Sequence, residues 1–388
     1  MNTLTIEQTS AVLNEVLAQV TGSKVIGTVT PENFVSVATT VLKKDYDVTL
    51  KAISQVLSRT IFSVRPYTRK FKGLEADSIR YGNHVRKLNL SDLPFEDDQR
   101  YTLEDNVSVD MYKVRKPKVL QVNMYGQETF QTHYTVFRDQ LDVAFSSMEE
   151  FGRFLAMVAQ NLSDTIEQAH ESLARATVAN FINGKVKGDA PNVIKLVTVY
   201  NDMTGAALTP DTVKQPQNFV PFVKWMYGYL STISSLLTER TVKYHINVTD
   251  HEIARHTPPS MQSLYLYSPE LNNIRTSVLS DVFNPDFLKL AYTEQVNFWQ
   301  SIDTPMGINN KPEYLLPDGT TKVEEEAVVT SNVFGLMCDV EAMGYTVVNQ
   351  WTATTPFNAA GGYSNIYFHF TDRYWNDFTE NAVVFLLE

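Results

Sequence analysis

The sequence predicts an α+β protein in which one very long helix lies across a sheet. Three observations carry this. The run "SSMEEFGRFLAMVAQNLSDTIEQAHESLARATVANFINGK" keeps three- and four-residue apolar spacing throughout. No comparable second run exists to pair with it as a helical bundle. Around it lie segments of two-residue alternation, among them "KVLQVNMYGQETFQTHYTVF" and "YSNIYFHF". At 388 residues the chain exceeds the usual single-domain size, so one large or two interlocked domains are expected.

Residues 1–62 read as helices. "TIEQTSAVLNEVLAQV" places Ile6, Val12, Leu13, Val16 and Leu17 near one stripe, Thr30 is a cap ahead of Pro31, and "VTLKAISQVLSRTIF" repeats the pattern. None is long enough to hold much structure alone, so all three should pack on something else. Residues 65–115 are polar, with short alternating runs at "VRKLNL" and "NVSVDMYKV". A stretch that long with so little core exceeds ordinary loops, and a projecting hairpin of two long strands explains it. Such a hairpin is marginal by itself in water, so it should be flexible or held by a partner.

Dense alternation resumes at Val119, with Gly126 marking a turn or bulge. The long helix is expected over residues 147–183. Ser147 and Glu150 form a capping box, Phe151, Leu155, Val158, Leu162, Ile166, Ala169, Leu173 and Ala176 form its stripe, and Gly184 closes it. Its length would be roughly 55 Å. Beyond it, "FVPFVKWMYGYLSTISSLL" reads as a helix and "YHINVT" as a strand. "SLYLYSPELNNIRTSVLSDVFNPDFLKL" reads as strand, turn and helix, leaving at Asn284-Pro285. "MGINNKPEYLLPDGTTKVE" is a turn-rich surface excursion, and "VFGLMCDVEAMGYTVV" returns to buried strand.

The net charge of -11 argues against a dedicated nucleic-acid binder, because phosphate contacts demand a basic surface. Two basic clusters exist: Arg69, Lys70 and Lys72, then Lys113, Arg115, Lys116 and Lys118. Between them "LPFEDDQRYTLEDN" carries Glu96, Asp97, Asp98, Glu104 and Asp105. These charges either keep a solvated loop soluble or pair a projecting arm with a neighbouring subunit. The single Cys338 lies in an apolar run as a small buried hydrophobe, so neither an intramolecular disulfide nor a multi-thiolate metal site can be built. There is no apolar run of membrane-spanning length and no signal-peptide pattern, so synthesis in the cytoplasm is expected.

Phosphate-loop, dinucleotide and nucleophile-elbow motifs are missing from the sequence. "HEIARH" (His251 to His256) resembles a zinc-protease motif, but its imidazoles are one residue too far apart to share a helix face. Adjacent carboxylates such as Asp97-Asp98 and Glu324-Glu325-Glu326 tend to point apart, whereas acid–base catalysis needs convergence. Tyr363, Tyr367, Tyr374 and Trp375 could form a stacking platform, although strand aromatics pack cores more often. No catalytic residue, cofactor site or metal site is assigned, which points to a structural role.

The order of parts resembles the Hong Kong 97-type major capsid protein of tailed bacteriophages. More narrowly, "RKFKGLEADSIRYGNHVRKL", "YGQETFQTHYTVFRDQLDVAFSSMEEFGRFLAMV", "PPSMQSLYLYSPELNNIRTSVLSDVFN" and "FTENAVVFLL" resemble capsid proteins of small short-tailed phages, the podoviruses. The resemblance covers about residues 65–388. It implies an N-terminal arm (1–64), an E-loop (65–115) and a P-domain with its spine helix (116–188, helix 147–183). An A-domain (189–345), a return through the P-domain (346–379) and a closing A-domain strand (380–388) would follow.

By the same resemblance, copies of the chain form pentamers and hexamers of an icosahedral shell in the virion. The shell encloses double-stranded DNA through weak non-specific contacts, with no membrane involved, after synthesis in the host bacterial cytoplasm. A separate scaffolding protein and a portal are expected as partners. Arg69, Lys70, Lys72, Arg80, Arg86 and Lys87 on the E-loop would meet carboxylates of an adjacent subunit, and Glu96, Asp97 and Asp98 would take part in the same contact. An encapsulin compartment shares the fold, a tail or sheath protein is a structural rival, and a cytosolic α/β enzyme without known motifs is the rival of another class. In the capsid reading Ile366, Phe368 and Phe370 face the spine helix, Tyr363, Tyr367 and His369 face away, and "AVVFLL" inserts into the A-domain sheet with both faces covered.

Overall fold

The computed structural model describes residues 14–16, 18, 20, 29–30, 33–44, 47–49, 51–53, 70–76, 85–91, 93, 96–101, 103–116, 118–249, 252–272 and 292–388. Helix α1 (Phe34–Lys44) starts one residue after Asn33, whose Oδ1 accepts the Thr30 N–H at 2.8 Å. The Asn33 N–H in turn donates to the Thr30 carbonyl at 3.2 Å, so Thr30 stands where the expected cap was placed, with the side chain three residues on reaching back to its N–H.

Strands β1 (Val85–Leu90) and β2 (Val119–Met124) pair antiparallel, from Val85 opposite Met124 to Leu90 opposite Val119. A hairpin thus exists where one was expected, but its strands are short and its second strand is β2. "NVSVDMYKV" forms no strand. Alternation becomes a strand only when a partner in register satisfies its backbone, and Val107–Val114 has none.

Strand β3 (Gln127–Phe137) and helix α2 (Arg138–Ala144) lead into α3 (Met148–Gly188). Ser147 Oγ accepts the Glu150 N–H at 3.1 Å, as a cap should, but the Glu150 carboxylate turns to Arg153 at 3.2 Å instead of closing the box. At 41 residues α3 is longer than expected and passes through Gly184. That glycine is a packing device: a Cβ there would lie 2.5 Å from the ring of Phe378, which stacks on Phe181 at 5.0 Å. The anticipated stripe is buried from Phe151 to Ile166. Beyond it Ala176 is exposed, and His170, Ala174, Val178, Phe181 and Ile182 are buried instead, because this stretch packs in different surroundings.

Gly184→Leu should therefore lower stability by about 1–3 kcal/mol through overpacking, more than the gain of up to ~1 kcal/mol in helix propensity. Thermal melting would show it, and Gly184→Leu combined with Phe378→Ala should recover part of the loss.

The remaining elements are β4 (Val193–Lys195), α4 (Leu196–Thr204), α5 (Pro216–Thr238), β5 (Gln262–Tyr267) and β6 (Tyr292–Val296). After them come β7 (Ile308–Asn310), β8 (Glu313–Leu315), β9 (Thr321–Val323), β10 (Val328–Thr330) and β11 (Val333–Asp339). The last are β12 (Met343–Thr354), β13 (Tyr363–Asn376) and β14 (Ala382–Leu386). Pro216 opens α5 at a position where a missing N–H costs nothing.

"YHINVT" is not a strand. His245 bonds Asn381 at 3.0 Å and the Ile253 carbonyl at 2.9 Å, and Asn247 donates to the Val242 carbonyl at 2.7 Å. These side chains bend the segment locally and displace a ladder. The expected exit at Asn284-Pro285 lies outside the described residues.

The chain divides into two units, the first comprising residues 1–81, 127–173 and 345–373, the second 82–126, 174–344 and 374–388. In the first unit β13 is flanked by β12 and β3. Ile366, Phe368 and Phe370 join Phe151, Leu155, Val158, Leu162 and Ile166 of α3 in one core. Phe145 stacks on Phe151 at 4.7 Å, with Phe34 6.0 Å from Phe151. On the opposite face Tyr367 stacks on His133 at 5.2 Å and His369 on Trp351 at 3.8 Å, so these aromatics pack mainly on one another.

The second unit holds a five-stranded sheet in the order β4-β14-β11-β5-β6. Its outer pairs are parallel and its two inner pairs antiparallel. Leu196, Phe222, Met226 and Leu230 from α4 and α5 cover one face, against Leu264, Phe334, Val383 and Phe385. Every residue of β14 is buried, as a strand covered on both faces must be.

Candidate assembly interface

The alternation of β1 gives the hairpin two unlike faces. Val85, Lys87 and Asn89 are half-buried, while Arg86, Leu88 and Leu90 are exposed. Across the ladder Leu120, Val122 and Met124 share the covered face. Between the strands, residues 91–118 carry a succession of exposed apolar side chains: Leu93, Leu103 and Val107 are more than half exposed, and Tyr101, Met111, Tyr112 and Val114 reach 81–85%. Among the described residues the loop has one short 3-10 turn, Gln99–Tyr101, none of whose residues is buried.

Charge pairing inside this loop answers part of the question its composition raises. Glu96 binds Lys113 at 3.0 Å and also Arg115, tying the two limbs of the loop together. Asp98 pairs with Arg100, which holds the Asp98 carboxyl below the usual carboxylate range. Asp97 and Arg86 are exposed. The Lys70 side chain is exposed too, while its N–H donates to Glu171 Oε2 at 2.8 Å. Arg69 and Arg80 lie outside the described residues, and nothing is described of the Lys72 side chain.

Lys87 behaves differently from the other loop cations. Its Nζ lies 3.0 Å from Glu341 Oε2 and 3.3 Å from Asp377 Oδ2, and it also bonds Glu380 Oε1. Glu380 is shared with Arg255, whose second guanidinium nitrogen reaches Thr379 Oγ1 at 3.1 Å. Burial would pull the Lys87 ammonium down, but Asp377 and Glu380 outweigh it and hold it well above the ordinary lysine range. Burial likewise pushes the Glu380 carboxyl up, against the pull of Lys87 and Arg255.

Asp377 and Glu380 come from "NDFTEN", the segment entering β14, which is built as a polar hub. Asp377 Oδ1 accepts the Thr379 N–H at 2.9 Å and its hydroxyl at 2.6 Å. Asn381 bonds His245 at 3.0 Å and Thr257 at 3.2 Å, and Thr257 reaches Asp339 at 2.9 Å. In the sequence this stretch falls at the junction of the expected return through the P-domain (346–379) and the closing strand (380–388), with no site assigned to it. Its run of hydrogen-bonding side chains ahead of a wholly apolar strand was the available signal.

The arrangement presents exposed apolar and charged side chains on a loop and a buried polar hub beneath its root. Among the described residues no cluster of metal-ligating side chains occurs, and Glu252–His256 is not helical. No helix among them is long and apolar enough to cross a membrane.

A family model described as Phi29-like phage major capsid protein matches residues 9–386. The chain belongs to that family. Structural comparison agrees on the fold. A chain from the capsid structure of Staphylococcus phage Andhra superposes with a TM-score of 0.52 at 10% identity, over 84% of this chain and 86% of that one. A chain from the structure of the head fiber and inner core protein gp22 of native bacteriophage P68 gives 0.53 at 11% identity, over 82% and 85%. No curated protein sequence matches.

The expected Hong Kong 97-type capsid fold is therefore present, and the protein is a phage major capsid protein: a structural, shell-forming component of the virion. This favours the phage capsid over the encapsulin, sheath and enzyme readings.

Proposed function

We propose that copies of this capsid protein close an icosahedral head around double-stranded DNA of a short-tailed phage, by laying the β1–β2 loop of each subunit on its neighbour. Pentamers and hexamers, a separate scaffolding protein and a portal complete this reading. The observation that carries it is the exposed apolar surface of residues 88–119, which extends over a loop with almost no core of its own. Burying such surface against a second copy is favourable at roughly 25 cal/mol per Å².

Arg69, Lys70, Lys72, Arg80 and Arg86, with Glu96, Asp97 and Asp98, supply the charged rim of that contact. Pairs of this kind are individually weak, so they select orientation while the apolar side chains supply attraction. The net charge of -11 suits a container that holds its DNA loosely.

Changing Met111, Tyr112 and Val114 together to Ser tests this. These side chains are exposed in the subunit, so its melting temperature should stay within about a degree of wild type. The yield of closed particles, by sedimentation and electron microscopy, should fall at least about tenfold, since roughly 1.4 kcal/mol suffices for that factor. Wild-type particle yield would refute the loop's role.

A further inference from the structure

We infer that Lys87 is a positioning residue for assembly: it locks the root of the β1–β2 hairpin onto the segment entering β14, and so sets the direction in which the docking loop leaves the subunit. The inference rests on the loop's proposed role and adds what aims it.

The geometry is specific. Lys87 sits on the covered face of β1 opposite Val122, so its stem helps fill the space beneath the hairpin while its ammonium reaches the hub. It meets three carboxylates, from the turn after β11 and from the two ends of "DFTE". Asp377 and Glu380 are buried, and their backbone is fixed independently: Asp377 N–H donates to the Ala342 carbonyl at 2.6 Å, and Ala382 N–H to the Tyr244 carbonyl at 2.9 Å. The anchor is thus rigid and the hairpin is the part being held.

At the foot of β2 the Gly126 carbonyl accepts the Tyr374 N–H at 3.3 Å, a backbone tie to which Lys87 adds a side-chain one. The pairs of Glu96 with Lys113 and Arg115, and of Asp98 with Arg100, close the loop on itself without fixing its direction. Six residue pairs make a short ladder, and a two-stranded ribbon of that size is marginal in water unless attached. Removing the cation would leave the buried Asp377 carboxylate without its cation and Glu380 with Arg255 alone, so the hub draws on the hairpin as the hairpin draws on the hub.

The test uses the full chain before and after assembly. Lys87→Met keeps the stem and removes the charge, and Lys87→Arg keeps the charge. Because Lys87→Met alone could prevent folding, Lys87→Met combined with Glu380→Gln balances the hub. In that double variant, backbone amides of β1 and β2 should exchange hydrogen at least about tenfold faster than wild type, with β11 and β14 unchanged. Chymotrypsin should cut at Tyr101 or Tyr112 correspondingly faster. Closed particles should fall several-fold or give way to misshapen shells, and Lys87→Arg should restore both readouts.

Unchanged exchange in β1 and β2 would overturn the lock, whatever the particles do. Faster exchange with normal particles would overturn the aiming role, provided the Met111, Tyr112 and Val114 variant still loses them. Normal particles from both variants would instead remove the loop's proposed role, and the aiming role with it.

Discussion

Deleting Ala382–Glu388 should leave no soluble folded protein. The segment contains Val383, Val384, Phe385, Leu386 and Leu387, each at most 5% exposed. At about 2 kcal/mol for each buried side chain, its removal forfeits roughly 10 kcal/mol, comparable with the whole stability of a typical protein. Backbone losses add to this. β14 lies between β4 and β11, so both neighbours would lose their ladders along those edges. The end itself is bonded in place: Leu387 N–H donates to the Asn332 carbonyl at 2.8 Å and Thr198 N–H to the Glu388 carbonyl at 3.0 Å. Expression, solubility and circular dichroism of the truncated chain check this. A truncation that stays soluble and assembles would refute the assignment of β14 as a central strand.

Leu162→Pro should destabilise the first unit by about 5 kcal/mol. Proline removes the N–H that bonds one turn back and clashes with that turn, which costs ~3 kcal/mol or more inside a helix. Leu162 is also 2% exposed, among Val158, Ile166 and the aromatic face of β13, so losing its shape costs at least about 2 kcal/mol further. Leu162→Ala isolates the packing part. The proline variant should melt well below the alanine variant, and equal melting temperatures would show that the backbone at this point does not need a continuous helix.

What could be read from the sequence was whatever a local pattern controls. The start of α3 at Ser147, its stripe through Ile166, the inward set Ile366, Phe368 and Phe370, and the insertion of "AVVFLL" in a covered sheet all follow from periodicity and burial. What could not be read depends on a distant partner. Gly184 looks like a stop until the ring of Phe378 is placed against it. Lys87 looks like one more surface cation of a charged loop, because Glu341, Asp377 and Glu380 are remote in sequence. "YHINVT" has strand residues, but the partners of His245 and Asn247 bend it. The hairpin was expected, yet its second strand was misplaced, since two nearby runs alternate and only one finds a register.

The strand pairings also fix how fast the molecule can form. In one sheet Val193 lies beside Val384 and in the other His133 beside Tyr367, so neither closes until segments far apart in the chain have met. Closing such long loops costs entropy before any contact offsets it, and chains with this topology fold slowly. During that interval the apolar residues of β14 and of the β1–β2 loop are exposed together, at the concentrations a shell requires. Dilute, cool refolding should therefore return far more monomer than concentrated refolding, and the loss at high concentration should be aggregation in competition with folding.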